Sequence, residues 1–364
     1  MPEVSPPPFV PGRELCGAFY WEAVRPVLDR AFPRLRHSAA LLGTGSDVLG
    51  FDTERSTDHE WGPRLQLLVD RPHPAIDRAL AEQLPRSFRG WPTAWSAPLT
   101  DGAVRVPEEG GPVQHRVEVA DPGGLLIGLL GFDPRRPITV DDWLTTPSQI
   151  LRSVVEGAVY HDGLGALQPV RASLRWYPHD VWLHVLACQW RRIAQEEHLV
   201  GRAAEVGDEL GSRLLAGRLV REIVRVCFLI ERRHAPYAKW LGSAFRQLAA
   251  ASELEGPLLA AISATTYPAR EAALCAAYEA AGRRCNALHV TQPVDARVRP
   301  FHDRPFMVLD AGRFAGACRQ AISDPAILAR GWLGSVDQIA DTTDVLSSAP
   351  AARSLLTLDR SRVR

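Results

Sequence analysis

The spacing of the hydrophobic residues changes near residue 150, and this change restricts the folds open to the chain more than any other feature. Before it, apolar runs typical of strands alternate with segments of helical period. The predicted strands there are 37–42, 64–69 and 113–119, and the predicted helices are 12–32, 74–84 and 124–130. Beyond it a period of 3.6 residues dominates, and it predicts helices at 180–200, 208–233, 240–252, 257–264, 269–282 and 311–322.

These two patterns predict an α+β protein of two domains, because 364 residues exceed the usual size of one compact domain. We expect a mixed α/β domain over residues 1–150. An all-helical domain over residues 151–345 is expected to close a cleft against it, and residues 346–364 are expected to form a C-terminal tail.

The charge balance and the composition disfavour several classes of partner. Lys plus Arg and Asp plus Glu number 42 each, so no overall field would draw the protein onto a nucleic acid or an anionic membrane. No run of 18 apolar residues lacks a charge, and the six cysteines stand singly rather than in metal-binding pairs. We therefore expect a cytoplasmic protein with no membrane partner, and a polymeric nucleic acid partner is not favoured.

The segment from residue 41 to residue 70 has the pattern of a catalytic site; it reads LLGTGSDVLGFDTERSTDHEWGPRLQLLVD. A predicted strand ends in a Gly-Thr-Gly-Ser turn, and Asp58 and Glu60 come just before the next predicted strand. Residues 58 and 60 of an extended chain would share one face, so both carboxylates would point toward Gly45 and Ser46. A pair of carboxylates suits Mg²⁺, and Glu118 on the strand 113–119 is the candidate third ligand.

Such a set of residues is typical of phosphoryl transfer, which proteins catalyse mainly by positioning and by neutralising charge. Two Mg²⁺ ions held by Asp58, Glu60 and Glu118 would activate an attacking hydroxyl and offset the charge of a leaving pyrophosphate. Gly45 and Ser46 would bind the triphosphate through backbone N–H groups and a hydroxyl, since glycine permits close approach.

The order of these motifs resembles the nucleotidyltransferase superfamily, which includes kanamycin nucleotidyltransferase and DNA polymerase beta. Within it, four segments are similar to a little-characterised bacterial family of nucleotidyltransferase-like proteins with a helical C-terminal domain: GSDVLGFDTERSTDHEWGPR, QEEHLVGR, APYAKWLGSAF and GSVDQ. The resemblance implies transfer of a nucleoside monophosphate from an NTP, with ATP expected. It assigns the triphosphate to Gly45 and Ser46 and the metal to Asp58 and Glu60. Glutamate stands at 60 and 118 where the superfamily most often has aspartate.

A nucleotide site also needs cations for the phosphates, and the helical half of the chain offers several. Lys239, the only lysine, and Arg202 are the predicted phosphate-binding residues. For Lys239 the alternative is a stem that lies over Trp240 with its ammonium in water. A further basic stripe is better interpreted as a salt-bridged surface; it consists of Arg218, Arg221, Arg225 and Arg232.

Several functional alternatives stay open at the level of sequence. The same fold would also suit a catalytically inactive nucleotide-binding or regulatory protein, although three mutually repelling carboxylates favour catalysis. His-Asp dipeptides at 161–162, 179–180 and 302–303 raise the lesser alternative of a metal phosphohydrolase. By analogy with other two-domain transferases, the acceptor is expected to be a hydroxyl of a small molecule, and a protein or tRNA acceptor stays open. The general base is either a metal-bound hydroxide or a carboxylate such as Glu196 or Glu197.

Overall fold

The computed structural model of the chain describes residues 7–58, 61–95 and 113–359. The chain divides into two compact units. The first comprises Met1–Pro137 and Ile150–Arg175, and the second comprises Ile138–Gln149 and Trp176–Arg364. A mixed sheet with helices forms the first unit and helices dominate the second, so the protein is of the mixed α+β class.

The helices and strands follow one another in this order. Up to residue 173 they are α1 (Gly12–Phe19), α2 (Arg25–Ala31), β1 (His37–Leu41), α3 (Ser46–Leu49), β2 (Leu65–Val69), α4 (Pro74–Gln83), β3 (Ser87–Phe88), β4 (Trp91–Pro92), β5 (Val117–Ala120), α5 (Pro122–Leu130), α6 (Val140–Thr145), α7 (Ser148–Val155), β6 (Ala158–Asp162) and α8 (Leu167–Ser173). The later ones are α9 (His179–Glu196), α10 (Leu199–Glu205), α11 (Glu209–Ile230), α12 (Leu241–Phe245), α13 (Ala251–Ser263), α14 (Tyr267–Asn286), β7 (Arg299–Pro300), β8 (Met307–Val308), α15 (Gly312–Gln320), α16 (Pro325–Leu328), α17 (Thr343–Leu346) and α18 (Ala349–Asp359). A π-helical turn, Tyr20–Val24, joins α1 to α2, and short 3-10 turns occupy Glu54–Asp58, Ala238–Trp240 and Val336–Gln338.

The main sheet of the first unit has the strand order β5-β2-β1-β6. β1 runs antiparallel to both β2 and β6, whereas β5 runs parallel to β2. Parallel neighbours need a long crossover connection, and α4 belongs to the one between β2 and β5. The parallel register places Glu118 beside Gln66.

Alternate residues of β2 pack into two different layers of the first unit. Leu67 belongs to a core that it shares with Phe19 of α1, while Leu68 belongs to a second cluster with Leu125 of α5 and Leu167 of α8. Helices therefore cover both faces of the sheet. This double coverage buries every residue of β1 and β2, including the polar Ser38 and Gln66.

In the second unit, α9 and α11 pack against each other, α15 packs on α9, and α14 packs on α11. Buried tryptophans of α9 connect these helices. The indole Nε1 of Trp182 donates a hydrogen bond of 2.8 Å to the carbonyl of Leu229 in α11, and Trp190 stacks on Phe314 of α15 with 4.8 Å between ring centroids. Both rings bury a large apolar area, and the hydrogen bond of Trp182 also satisfies its indole N–H, so these contacts stabilise the helical packing.

Two differences from the sequence expectation concern the chain beyond residue 150. The expectation of helices alone missed β6, which pairs with β1, so the first unit continues to Arg175 instead of ending at residue 150. The predicted break between helices at 240–252 and 257–264 is also wrong, because α13 runs through Pro257. Leu254 and Leu258 on either side of this proline are buried, and their packing outweighs its low helix propensity.

The segment expected to be a C-terminal tail, residues 346–364, contains α18. Ala352 of this helix is buried with Val336 and Leu346, so the helix belongs to the packed second unit. Across the described residues, none of the helices combines the length and the apolar composition that crossing a membrane requires.

Candidate functional site

The turn after β1 has a backbone that favours glycine at two positions. Gly43 has φ of 88° and Gly45 has φ of 140°, and both values lie in the region that side chains rarely tolerate. A Cβ atom at position 45 would also collide with the Asp47 carboxylate and the Arg64 guanidinium. The Gly-Thr-Gly-Ser sequence therefore specifies this turn, which leads directly into α3 at Ser46.

A buried ion pair holds the turn against the start of β2. The Arg64 guanidinium donates from Nε to Asp47 Oδ2 and from Nη2 to Asp47 Oδ1, both at 2.9 Å, and Nη2 also donates to the Thr44 carbonyl at 2.8 Å. Burial by itself lowers the pKa of Arg64, but the charge and the hydrogen bonds of Asp47 act in the opposite direction, and the pKa is raised overall. The bidentate geometry fixes the turn relative to the strand.

Gln66, two residues along the same strand, connects β2 to the end of β1. Its side-chain oxygen accepts a hydrogen bond of 2.9 Å from the Leu42 N–H, and its side-chain nitrogen donates to the Leu42 carbonyl at 3.3 Å. The two contacts satisfy both backbone groups of Leu42 where the chain leaves β1. They place the following turn at the end of the sheet where Glu118 also lies, beside Gln66 in the register.

Glu118 is exposed at this end of the sheet, and it lines a cavity of the first unit together with Gly43, Thr44 and Arg64. The cavity has a volume of about 600 Å³, which is in the size range of small-molecule sites. Within the described part of the chain, the Glu118 carboxylate makes no hydrogen bond or ion pair. The predicted third acidic residue and the beginning of the predicted triphosphate turn thus share one cavity.

The other two predicted metal ligands have a different local structure from the one expected. Asp58 ends the 3-10 turn Glu54–Asp58 and does not lie in an extended strand, so strand alternation does not apply at this residue. The Asp58 side chain and all of Glu60 lie outside the described residues. Within the described residues, no group of three or more His, Cys, Asp or Glu side chains is arranged to hold a metal ion. The convergence of Asp58, Glu60 and Glu118 therefore stays a prediction.

The predicted phosphate-binding cations belong to the second unit. Lys239 is exposed, and its Nζ lies 4.9 Å from the ring centroid of Trp240, which is the alternative contact expected from the sequence. Arg202 is exposed on α10. Three arginines of the basic stripe have partners inside this unit: Arg218 pairs with Glu196, Arg221 with Asp341, and Arg225 with the Asp337 carbonyl. Arg232 lies over the Trp182 ring.

Both carboxylates suggested as a general base have partners in the second unit. Glu196 forms an ion pair with Arg218 at 2.9 Å. Glu197 is buried, and its oxygens accept hydrogen bonds from the backbone N–H groups of Leu309, Asp310 and Ala311. Burial raises the pKa of Glu197 from 4.5 to about 7, an effect larger than the opposing one of these hydrogen bonds. These contacts give Glu197 a structural role beside the start of α15.

Two of the three His-Asp dipeptides, at 161–162 and 179–180, have structural roles. Asp162, at the end of β6, accepts a hydrogen bond from the Ser38 hydroxyl at 2.7 Å and others from backbone N–H groups at the start of α8. Asp180, in the first turn of α9, accepts hydrogen bonds from Ser323 and Asp324. Both aspartates therefore stabilise chain turns, which explains their presence without a metal.

Sequence reasoning missed three residues that hold the turn in place, namely Asp47, Arg64 and Gln66. A usable signal was present, because polar residues at 64 and 66 alternate with apolar residues at 65 and 67 in an otherwise apolar strand. Alternation of this kind places two polar side chains on one face of the sheet. The partner of Arg64 cannot be read in the same way, since Asp47 lies 17 residues earlier in the chain.

Comparison with known proteins adds one finding. Residues 143–241 match the model of a family described as Domain of unknown function (DUF4037). The match includes α9, α10 and α11 and ends just beyond Trp240. Neither the search of curated proteins nor the search of solved structures found a match.

Proposed function

We propose that the protein is a metal-dependent nucleotidyltransferase that moves a nucleoside monophosphate from an NTP to an acceptor hydroxyl. One observation carries the proposal: Glu118 lines the same cavity of the first unit as Gly43 and Thr44 of the glycine turn. An acidic residue on a strand and a turn able to approach phosphate closely are the two parts that such a site requires.

The strand arrangement supports this proposal. The turn follows β1, β2 returns antiparallel beside it, and β5 with Glu118 adds parallel to β2. The glycine turn and an acidic residue on a strand therefore lie at the same end of the sheet, as the proposed reaction requires. The ion pair between Arg64 and Asp47 holds the turn, so we assign Arg64 a positioning role.

The residues at the cavity suit Mg²⁺ in their chemistry, because the Glu118 carboxylate supplies hard oxygen ligands. Asp58 and Glu60 would complete the ligand set. When bound, the ion would neutralise charge on the triphosphate and on the leaving pyrophosphate. The protein itself would hold the triphosphate with the backbone N–H groups of Gly45 and Ser46 and with the Ser46 hydroxyl. The acceptor oxygen would then bond to the α-phosphorus as the bond from that phosphorus to the pyrophosphate oxygen breaks.

The experiment compares Glu118→Gln with the wild-type protein in two assays. Pyrophosphate release is followed with Mg-ATP and a panel of small hydroxylated acceptors, and Mg-ATP affinity is measured by calorimetry. We expect release to fall by on the order of a hundredfold, the effect of losing one group that stabilises transition-state charge. Glu82→Gln, an exposed substitution on α4, is the matched control and should leave both quantities unchanged.

Two outcomes would contradict the proposal. Full release by Glu118→Gln would remove Glu118 from the reaction. Binding of Mg-ATP by the wild-type protein without release from any acceptor would instead support the inactive nucleotide-binding protein considered from the sequence.

A further inference from the structure

The cavity that Glu118 lines contains a second carboxylate, that of Asp121. Asp121 directly follows β5 and is the N-cap of α5. The proposed reaction needs a group that accepts the proton of the acceptor hydroxyl. Glu196 and Glu197, the carboxylates considered for this task from the sequence, have partners within the second unit. Asp121 lies instead in the cavity where the reaction is proposed to take place.

The start of α5 fixes one oxygen of the Asp121 carboxylate and leaves the other available. Oδ1 accepts a hydrogen bond of 2.8 Å from the Gly124 N–H, the usual contact of an N-cap. Oδ2 has no hydrogen-bond or ion-pair partner among the residues that the structure describes. An ionised carboxylate accepts through both oxygens, so Oδ2 can accept a proton from a substrate while Oδ1 holds the side chain in place.

Two glycines of α5 keep the space beside this oxygen open. A Cβ atom at position 124 would lie 2.6 Å from Oδ2 of Asp121, which is closer than side-chain atoms approach one another. One turn further along the helix, a Cβ atom at position 128 would meet no atom within 4 Å. Gly124 and Gly128 both line the cavity. No side chain of α5 at these two positions therefore stands between Oδ2 and a substrate in the cavity.

The separation of Asp121 from Glu118 suits a substrate that contacts both. The backbone between them is extended, because β5 continues to Ala120 and Asp121 has φ of −85° and ψ of 149°. With a rise of about 3.3 Å per residue, the Cα atoms of residues 118 and 121 are roughly 10 Å apart. Both side chains line one cavity, so the space between them has room for a small acceptor next to a triphosphate.

We propose that Asp121 is the general base of the transfer reaction, an inference that rests on the proposed function. The acceptor oxygen bonds to the α-phosphorus while its proton passes to Oδ2 of Asp121. The bond from the α-phosphorus to the pyrophosphate oxygen breaks, and the pyrophosphate leaves with the electron pair of that bond. The proton on Asp121 then passes to solvent. Glu118 and Asp121 thus have separate tasks, since Glu118 acts on the triphosphate and Asp121 acts on the acceptor.

The variant Asp121→Asn tests this task without disturbing α5. Asparagine caps a helix as well as aspartate does, but its side-chain amide does not accept a proton at neutral pH. Pyrophosphate release from Mg-ATP, with glycerol as the acceptor, should fall by about a hundredfold or more, the usual contribution of a general base. Mg-ATP affinity measured by calorimetry should stay within about twofold of wild type, because the lost interaction belongs to the transition state.

A rescue experiment with Asp121→Gly separates a general base from a structural cap. Glycine is tolerated at an N-cap, and it opens space in which a small carboxylate replaces the missing side chain. Added formate should raise pyrophosphate release by this variant at least about tenfold. Asp208→Gly is the matched control, because Asp208 is the N-cap of α11 and accepts the same 2.8 Å hydrogen bond from Gly211, but belongs to the second unit. Its release should equal that of wild type and should not respond to formate.

The outcomes distinguish failure of this inference from failure of the proposed function. Wild-type release by Asp121→Asn, a loss of Mg-ATP affinity in that variant, or no response of Asp121→Gly to formate would refute the general base and leave the transfer reaction in place. No pyrophosphate release by the wild-type protein, with glycerol or with any acceptor of the panel, would contradict the proposed function and the general base together.

Discussion

Replacing Arg64 by Met should destabilise the first unit, because it leaves the Asp47 carboxylate buried without its ion-pair partner. The Asp47 side chain is 7% exposed and that of Arg64 is 18% exposed. The substitution removes two charge-assisted hydrogen bonds to Asp47 and one to the Thr44 carbonyl. Among the described residues, it leaves the Asp47 oxygens one hydrogen-bond donor, the N–H of the next residue, Val48.

The cost follows from the burial of the remaining charge. Removing one partner of a buried ion pair typically costs about 3–5 kcal/mol, most of it the penalty of an unpaired buried charge. Arg25→Met is the matched control in the same unit, since Arg25 pairs with Asp29 at side-chain exposures of 31% and 57%. Loss of such an exposed pair should cost less than about 1 kcal/mol.

Urea unfolding followed by circular dichroism measures both costs, and a second variant isolates their cause. If the unpaired charge is responsible, adding Asp47→Asn to Arg64→Met should restore part of the lost stability, because the double variant buries no lone carboxylate. The reasoning is refuted if Arg64→Met costs no more than Arg25→Met, or if the double variant is less stable than Arg64→Met alone.

Three further predictions concern single residues. Gly45→Ala should lower the free energy of unfolding in urea by about 1–3 kcal/mol, because φ of 140° is strained for any side chain and the new Cβ would collide with Asp47. Gly128→Ala is the control, since Gly128 has open space around it. A stability loss in Gly45→Ala no larger than that in Gly128→Ala would contradict the prediction. The pKa of Glu197 is higher in the folded protein than its ordinary 4.5, so the folded state holds this proton more tightly and stability falls as pH rises. From below pH 4.5 to above pH 7 this group should lower the unfolding free energy by about 3 kcal/mol, and Glu197→Gln should lack that part of the slope; parallel pH profiles of the two proteins would show the prediction wrong. Arg192→Met should cost about 3 kcal/mol or more by leaving the buried Glu222 carboxylate without its cation, and a thermal midpoint equal to that of wild type would exclude this role.

Much of the local structure of the first unit could be predicted from hydrophobic spacing. The strands at 37–41 and 65–69 and the helix from Pro74 to Gln83 were located within about one residue, because both strands are predominantly apolar and a proline opens the helix. The strand β6 escaped this reasoning. Its sequence, AVYHD, ends in two polar residues, and hydrogen bonding to β1 is what defines it as a strand.

The candidate site likewise combines features that the local sequence predicts with contacts that it does not. The Gly-Thr-Gly-Ser turn was predictable because its two positive φ angles demand glycine whatever surrounds them. The sequence also singled out Glu118 as an acidic residue on a predicted strand, and the structure places it in the cavity beside the turn; its role as a metal ligand stays a prediction. The ion pair of Arg64 with Asp47 was not predicted from the sequence. The pairing of Glu222 on α11 with Arg192 on α9 was not predicted either.

The amino-acid sequence by itself determined where the chain turns, which runs are apolar enough to be strands or helices, and where the first unit carries its glycines and acidic residues. These properties depend on backbone sterics and on local periodicity, which act over a few residues. Only the tertiary structure decided which charged side chains meet, that a strand beyond residue 150 completes the sheet, and that Glu118 lines a cavity with the turn. Such contacts join residues far apart in the chain, and packing selects them from many pairings that the sequence alone leaves equally possible.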